Sequence, residues 1–166
     1  VLEADFFVRK QTNGNGQDRL TIIVQNLNLD FAGVAITNGS GTLLILPDST
    51  DTNGDLIPNT GGVAGTLSAS VDIGGLVDGV ELSGTFRLEL NNTNGRIIDS
   101  VKVGANTVNI DLPAGPYFRI GVTNAVLSIA GQSLSGSFAI QNVTTPTGKV
   151  LSIAALNVAL SLGDGQ

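Results

Sequence analysis

Val80-Glu81-Leu82-Ser83-Gly84-Thr85-Phe86-Arg87-Leu88-Glu89-Leu90 alternates apolar and polar residues with a period of two. Val80, Leu82, Phe86, Leu88 and Leu90 fall on one side, while Arg87 and Glu89 fall on the other. That is the pattern of a β-strand with one buried face. Its centre, Leu82-Ser83-Gly84-Thr85-Phe86, returns as Leu134-Ser135-Gly136-Ser137-Phe138. A third copy, lacking the Leu-Ser-Gly lead-in, starts at Phe6-Phe7. Each copy runs into an apolar segment, a Gly-containing turn and a second apolar segment.

The same reading extends outward along the chain. Turn signals punctuate it at Asn13-Gly14-Asn15-Gly16, Asn38-Gly39-Ser40-Gly41, Asp78-Gly79, Asn94-Gly95, Pro113-Ala114-Gly115-Pro116, Gly131-Gln132 and Thr145-Pro146-Thr147-Gly148. Asn-Gly between alternating segments is the strongest local hairpin signal. About nine strands are expected, near 3–11, 19–31, 33–46, 62–73, 79–91, 96–112, 117–130, 133–143 and 149–162. No segment combines helical periodicity with caps. Long strands joined by short Gly turns favour an antiparallel meander, forming a sandwich or an elongated curled sheet. The alternative is a β-solenoid, but that wants a constant rung, and the phenylalanine spacings of 80 and 52 residues are unequal.

A second phrase has the form Ile-x-x-x-Asn-x-x-Leu: Ile22, Asn26 and Leu29; Ile120, Asn124 and Leu127; Ile153, Asn157 and Leu160. Around each asparagine the alternation changes phase. Leu20, Ile22 and Val24 are even, whereas Leu27, Leu29 and Phe31 are odd. A bulge, or a strand crossing between sheets, would cause this, and Asn suits the unusual backbone needed.

Composition excludes several classes. The 166 residues suffice for one domain with a core, and their 42% apolar fraction can fill it. Cys and His are absent, which removes disulfides, thiolate metal sites and any His-activated nucleophile at Ser83 or Ser135. The net charge of −6, with eight scattered basic residues, argues against nucleic acid, whose phosphates demand clustered cations. No apolar run is long enough for a membrane-spanning helix. The absence of Met implies a processed chain or a segment of a longer one.

Candidate chemistry is sparse. Asp48, Asp51, Asn53, Asp55 and Asn59 lie in one Gly-containing polar stretch, with 51, 53 and 55 at alternate positions. Such spacing can converge side-chain oxygens on calcium, although Leu56 stands where calcium loops usually have Gly, and no Glu offers bidentate closure. The same composition fits a polar surface insertion between strands. Glu81 and Glu89 share a strand about 26 Å apart, too far for a glycosidase pair. Tyr117 and Phe118, beside prolines, suggest core or turn packing or a small sugar-stacking platform.

The phrases Leu-Ser-Gly-Ser-Phe, Asn38-Gly39-Ser40-Gly41-Thr42-Leu43-Leu44-Ile45 and Leu112-Pro113-Ala114-Gly115-Pro116-Tyr117-Phe118-Arg119-Ile120 resemble repeat units of giant secreted bacterial haemagglutinin- or adhesin-like surface proteins. The strand pattern is less closely similar to long-stranded lipid-transfer proteins of the bacterial envelope. The first resemblance implies a non-enzymatic structural module of a secreted or cell-surface protein: an adhesive stalk, spacer or filament unit whose partners are neighbouring copies. Surface glycans are a further implied partner. The alternative is a glycan- or lipid-binding envelope module. Residues 138–163 resemble 6–33 at a period near 132, as expected for a window of a tandem array.

Overall fold

A computed structural model of the chain describes residues 1–12, 16–48, 60–103, 106–145 and 147–163, side chains at 75–77, 103, 106 and 144 excepted. Its strands are β1 (Leu2–Thr12), β2 (Asp18–Phe31), β3 (Val34–Leu46), β4 (Gly62–Val77), β5 (Val80–Asn91), β6 (Ile97–Val103), β7 (Asn106–Leu112), β8 (Tyr117–Ile129), β9 (Gln132–Thr145) and β10 (Gly148–Ser161). Eight of them form one open sheet in the order β1-β2-β3-β4-β5-β8-β9-β10, and β6 pairs with β7 as a separate hairpin. All pairings are antiparallel. The expected antiparallel meander is therefore the fold, and the solenoid is not. The expected single strand at 96–112 is instead two, because Val103 turns back to pair with Asn106.

The phase changes are bulges. Asn26, Asn124 and Asn157 have φ of 52°, 54° and 53°, and Asn38 joins them at 54°. Each adds one residue to its own strand, so two residues face one on the partner strand. Asn tolerates the left-handed region better than other side-chain-bearing residues. The extra residue cancels the phase change in the sequence. Leu20, Ile22 and Val24 before the bulge, and Leu27, Leu29 and Phe31 after it, all emerge on one face.

The bulges explain the repeated phrase. Leu82 and Phe86 pair with Leu127 and Val122, three residues after and two before Asn124. Leu134 and Phe138 pair with Leu160 and Ala155, at the same offsets from Asn157. Leu2 and Phe6 pair with Leu29 and Val24, again at those offsets from Asn26. The third copy thus does have a lead-in, Leu2-Glu3-Ala4-Asp5-Phe6, with Ala4 in the glycine position. A fourth copy, Leu67-Ser68-Ala69-Ser70-Val71, bears the same relation to Asn38 on β3. At Gly84 and Gly136 the bulge leaves little room even for a Cβ, whereas at positions 4 and 69 it admits the methyl of Ala. A Cβ at Gly136 would lie 3.2 Å from the Leu156 carbonyl oxygen, and one at Gly84 would lie 2.8 Å from Val122 Cγ2.

The β6–β7 hairpin covers one end of one face, and the compact core forms beneath it. Leu44, Ala64 and Tyr117 from the sheet meet Ile110 and Leu112 from β7, with Leu46, Ile97 and Val143 at the margin. Ile23 and Val101 make a second cluster with Val108. Arg19 on β2 pairs with Asp99 on β6 and ties the hairpin down from the side. Asn91, only 1% exposed, ends β5 where the hairpin begins, and donates to the carbonyls of Gly95 (2.8 Å) and Pro113 (2.7 Å). It thereby joins the segments that enter and leave the hairpin.

Candidate binding face

The other face of the sheet is apolar from edge to edge over most of its length, with Lys10, Asp18 and Lys149 at one end. One register row runs Phe6, Val24, Gly41, Leu67, Leu88, Ile120, Ile140 and Ile153 across all eight strands. The next runs Val8, Ile22, Leu43, Gly65, Leu90, Phe118, Asn142 and Leu151. Beyond the bulges the row Phe31, Val34, Ile73, Leu82, Leu127, Leu134 and Leu160 continues the surface. None of these residues is charged. Many are open to solvent: Phe6 is 64% exposed, Ile120 42% and Ile153 73%. Single exposed hydrophobics are ordinary, but a contiguous apolar surface of this extent marks an interaction site.

This surface has relief. Val24, Leu43, Leu67, Leu88 and Leu90 rim a depression of about 220 Å³ over Gly41 and Gly65. Both glycines are needed because β3 and β4 approach closely there. A Cβ on Gly41 would sit 2.6 Å from the Thr66 carbonyl oxygen, and one on Gly65 would strike that of Thr42. The depression is therefore a consequence of backbone packing. Phe118, Ile120, Ile140 and Ile153 on β8–β10, with Phe6 and Val8 on β1, are 41–73% exposed.

On the hairpin side, the most buried carboxylate among the ion pairs is that of Glu89. Arg87 donates to it at 2.7 Å and Tyr117 at 2.8 Å, with Arg119 Nη1 3.7 Å away. Burial works against its charge, but these donors and cations outweigh burial and hold the carboxyl below its ordinary range. Across the strands its register neighbours are Thr66 and Arg119, so no second carboxylate flanks it there. The arrangement ties β5 to β8 through the Tyr117 and Arg119 side chains.

Tyr117 carries the complementary shift. Burial and the hydrogen bond to Glu89 push its phenol up to about 12. It is the only tyrosine and the chain has no tryptophan, so tyrosinate absorbance reads this one contact. The folded protein is expected to titrate near 12, and the denatured chain near 10. Glu89→Gln should bring the folded midpoint part of the way down. Since the folded value is raised, Tyr117 contributes stability that is complete below the unfolded value and is lost as pH rises from about 10 to about 12. For Glu89 the sign reverses, and its contribution is lost as pH falls through its depressed value.

Of the two readings of this pair, core packing holds for Tyr117, while Phe118, its neighbour in sequence, points to the opposite face, so the two rings share no platform. Of the five expected calcium ligands, Asp51, Asn53, Asp55 and Asn59 lie outside the described residues. Asp48 is described. One of its carboxylate oxygens accepts the Gly61 N–H at 2.5 Å, and its carbonyl accepts from Gln17. These bonds, with Thr60 N–H to Asn94 at 2.8 Å, tie residues 48 and 60 to the connections beside the sheet. Among the described residues no three His, Cys, Asp or Glu side chains converge to hold a metal ion, and no helix is long and apolar enough to cross a membrane.

Sequence reading missed the β6–β7 hairpin and the continuity of the apolar face. The second had a signal: the even-to-odd switch at each asparagine, read as a bulge, keeps the apolar residues together. Comparison with known protein families, with curated proteins and with solved structures finds no match.

Proposed function

We propose that the chain is a non-enzymatic structural module of a secreted or cell-surface bacterial protein, serving as a stalk, spacer or filament unit. The observation that carries this reading is the fourfold strand pair. Leu, a small residue and Phe or Val on the straight strand recur opposite an Asn bulge on its neighbour. Leu, the small residue and Phe or Val face the apolar surface and serve packing, while the intervening serines alternate to the other side. β1–β2 and β9–β10 are the same unit at a separation near 132 residues, which suits an array of such pairs. Immunogold labelling of intact producing cells tests the reading. Label on the surface or in the culture fluid is expected, and label confined to the cytosol would overturn it.

A lipid-binding envelope module is the second reading, favoured by the same apolar face. Fourteen acidic residues against eight basic ones leave little to attract an anionic headgroup, so it ranks below the first.

A further inference from the structure

We propose, resting on the structural-module reading, that the uncovered apolar face seats a second copy of this chain, sheet on sheet, about a two-fold axis parallel to the strands. Size supports this first. Eight strands at ~4.8 Å and about a dozen residues at ~3.3 Å give a face of roughly 1,500 Å². A stable interface takes about 800 Å² from each partner. The face could therefore be covered completely by its own like, as in an aligned β-sandwich with sheets ~10 Å apart.

Shape supports it next. An axis between β4 and β5, the middle of the sheet order, carries β3 of one copy over β8 of the other, and β4 over β5. Rotation about the strand direction keeps each register row at its own height. Gly41 and Ile120 share one row, and Leu43 and Phe118 share the next. The depression over Gly41 thus receives the partner's Ile120, and Leu43 meets the partner's Phe118. The depression lies on one side of the axis and the exposed Phe118 and Ile120 on the other, so the two meet across it. An identical apolar face also requires no charge on this one, whereas an anionic membrane would.

The whole chain in equilibrium sedimentation is expected to be a dimer. Ile120→Asp places a carboxylate in the interface twice and should weaken the dimer about a hundredfold or more. Unchanged circular dichroism and an unchanged Tyr117 titration would show that the fold survives, since Tyr117 lies on the opposite face. Thiol crosslinking keeps the test independent of that variant. The chain has no cysteine, and within one copy β3 and β8 are three strand spacings apart, ~14 Å, beyond a short bismaleimide. Leu43→Cys mixed with Phe118→Cys should give a covalent dimer, while neither alone should. Three results would overturn the proposal: a monomer at every concentration, crosslinking of Leu43→Cys to itself, or a monomer carrying lipid in native mass spectrometry. Each leaves the surface-labelling result untouched, so the two readings fail separately.

Discussion

Asn91→Ala is expected to lower unfolding free energy by about 3–4 kcal/mol, through buried polar groups left without partners. Asn91 is 1% exposed and uses both ends of its carboxamide. The nitrogen donates to Gly95 and Pro113, and the oxygen accepts from the Thr93 N–H (3.0 Å) and hydroxyl (2.8 Å). Truncation leaves the buried Thr93 amide hydrogen without its partner and removes a donor from the Gly95 and Pro113 carbonyls. Neighbouring Thr93, 2% exposed, can keep only its hydroxyl bond to Gly95. For a chain of this length the loss corresponds to a fall in melting temperature on the order of 10 °C. Thermal and urea unfolding followed by circular dichroism would measure it. Asn109→Ala, on the exposed side of β7, is the control, expected within about 0.5 kcal/mol of wild type. Equal effects from the two would show that Asn91 does not organise the hairpin.

Gly65→Val should be at least as severe, costing about 3 kcal/mol or more, because the obstacle is backbone. The added Cβ meets the Thr42 carbonyl oxygen and comes within 3.2 Å of Leu43 Cα. Neither can rotate away, so β3 and β4 must separate at the centre of the sheet. Gly41→Val meets the Thr66 carbonyl from the other side and should behave alike. By contrast, Gly131→Ala finds open space and is limited by its φ of 82°, costing roughly 1 kcal/mol. Urea midpoints of the three variants give the comparison. Equal stability for Gly65→Val and Gly131→Ala would mean that the close approach of β3 and β4 does not constrain the fold.

Much of the architecture was legible because β-structure writes itself into sequence at short range. The alternation from Val80 to Leu90 needs no distant partner to be read, and an Asn that changes its phase is a local backbone event. The fourth copy, Leu67 to Val71, was hidden by its order. Its bulge precedes it in the chain, at Asn38, whereas the other three copies precede theirs. Ala4 and Ala69 were hidden by substitution, since a bulge demands only a small residue and both Gly and Ala satisfy it.

The hairpin at 97–112 was read as one strand because both of its halves alternate in the same way, and nothing in the alternation says that the second half folds back. Arg19 meeting Asp99, and Tyr117 meeting Glu89, were likewise beyond reach. Their members are 80 and 28 residues apart, and pairing depends on register between strands. The Asp48–Asn59 stretch has the reverse character: its composition is plain, but composition does not determine where its oxygens converge.

The sequence alone, then, determined the strands other than the division of 96–112 into two, the positions of the phase changes and the unsuitability of this chain for His- or Cys-based chemistry, all properties of residues close together in the chain. Tertiary structure decided which face the hairpin covers. That choice buries Leu44, Tyr117 and Leu112 together and turns the rows from Phe6 to Ile153 and from Val8 to Leu151 outward. A two-stranded hairpin can shield only one end of one side of an eight-stranded sheet, so the opposite apolar face is left uncovered.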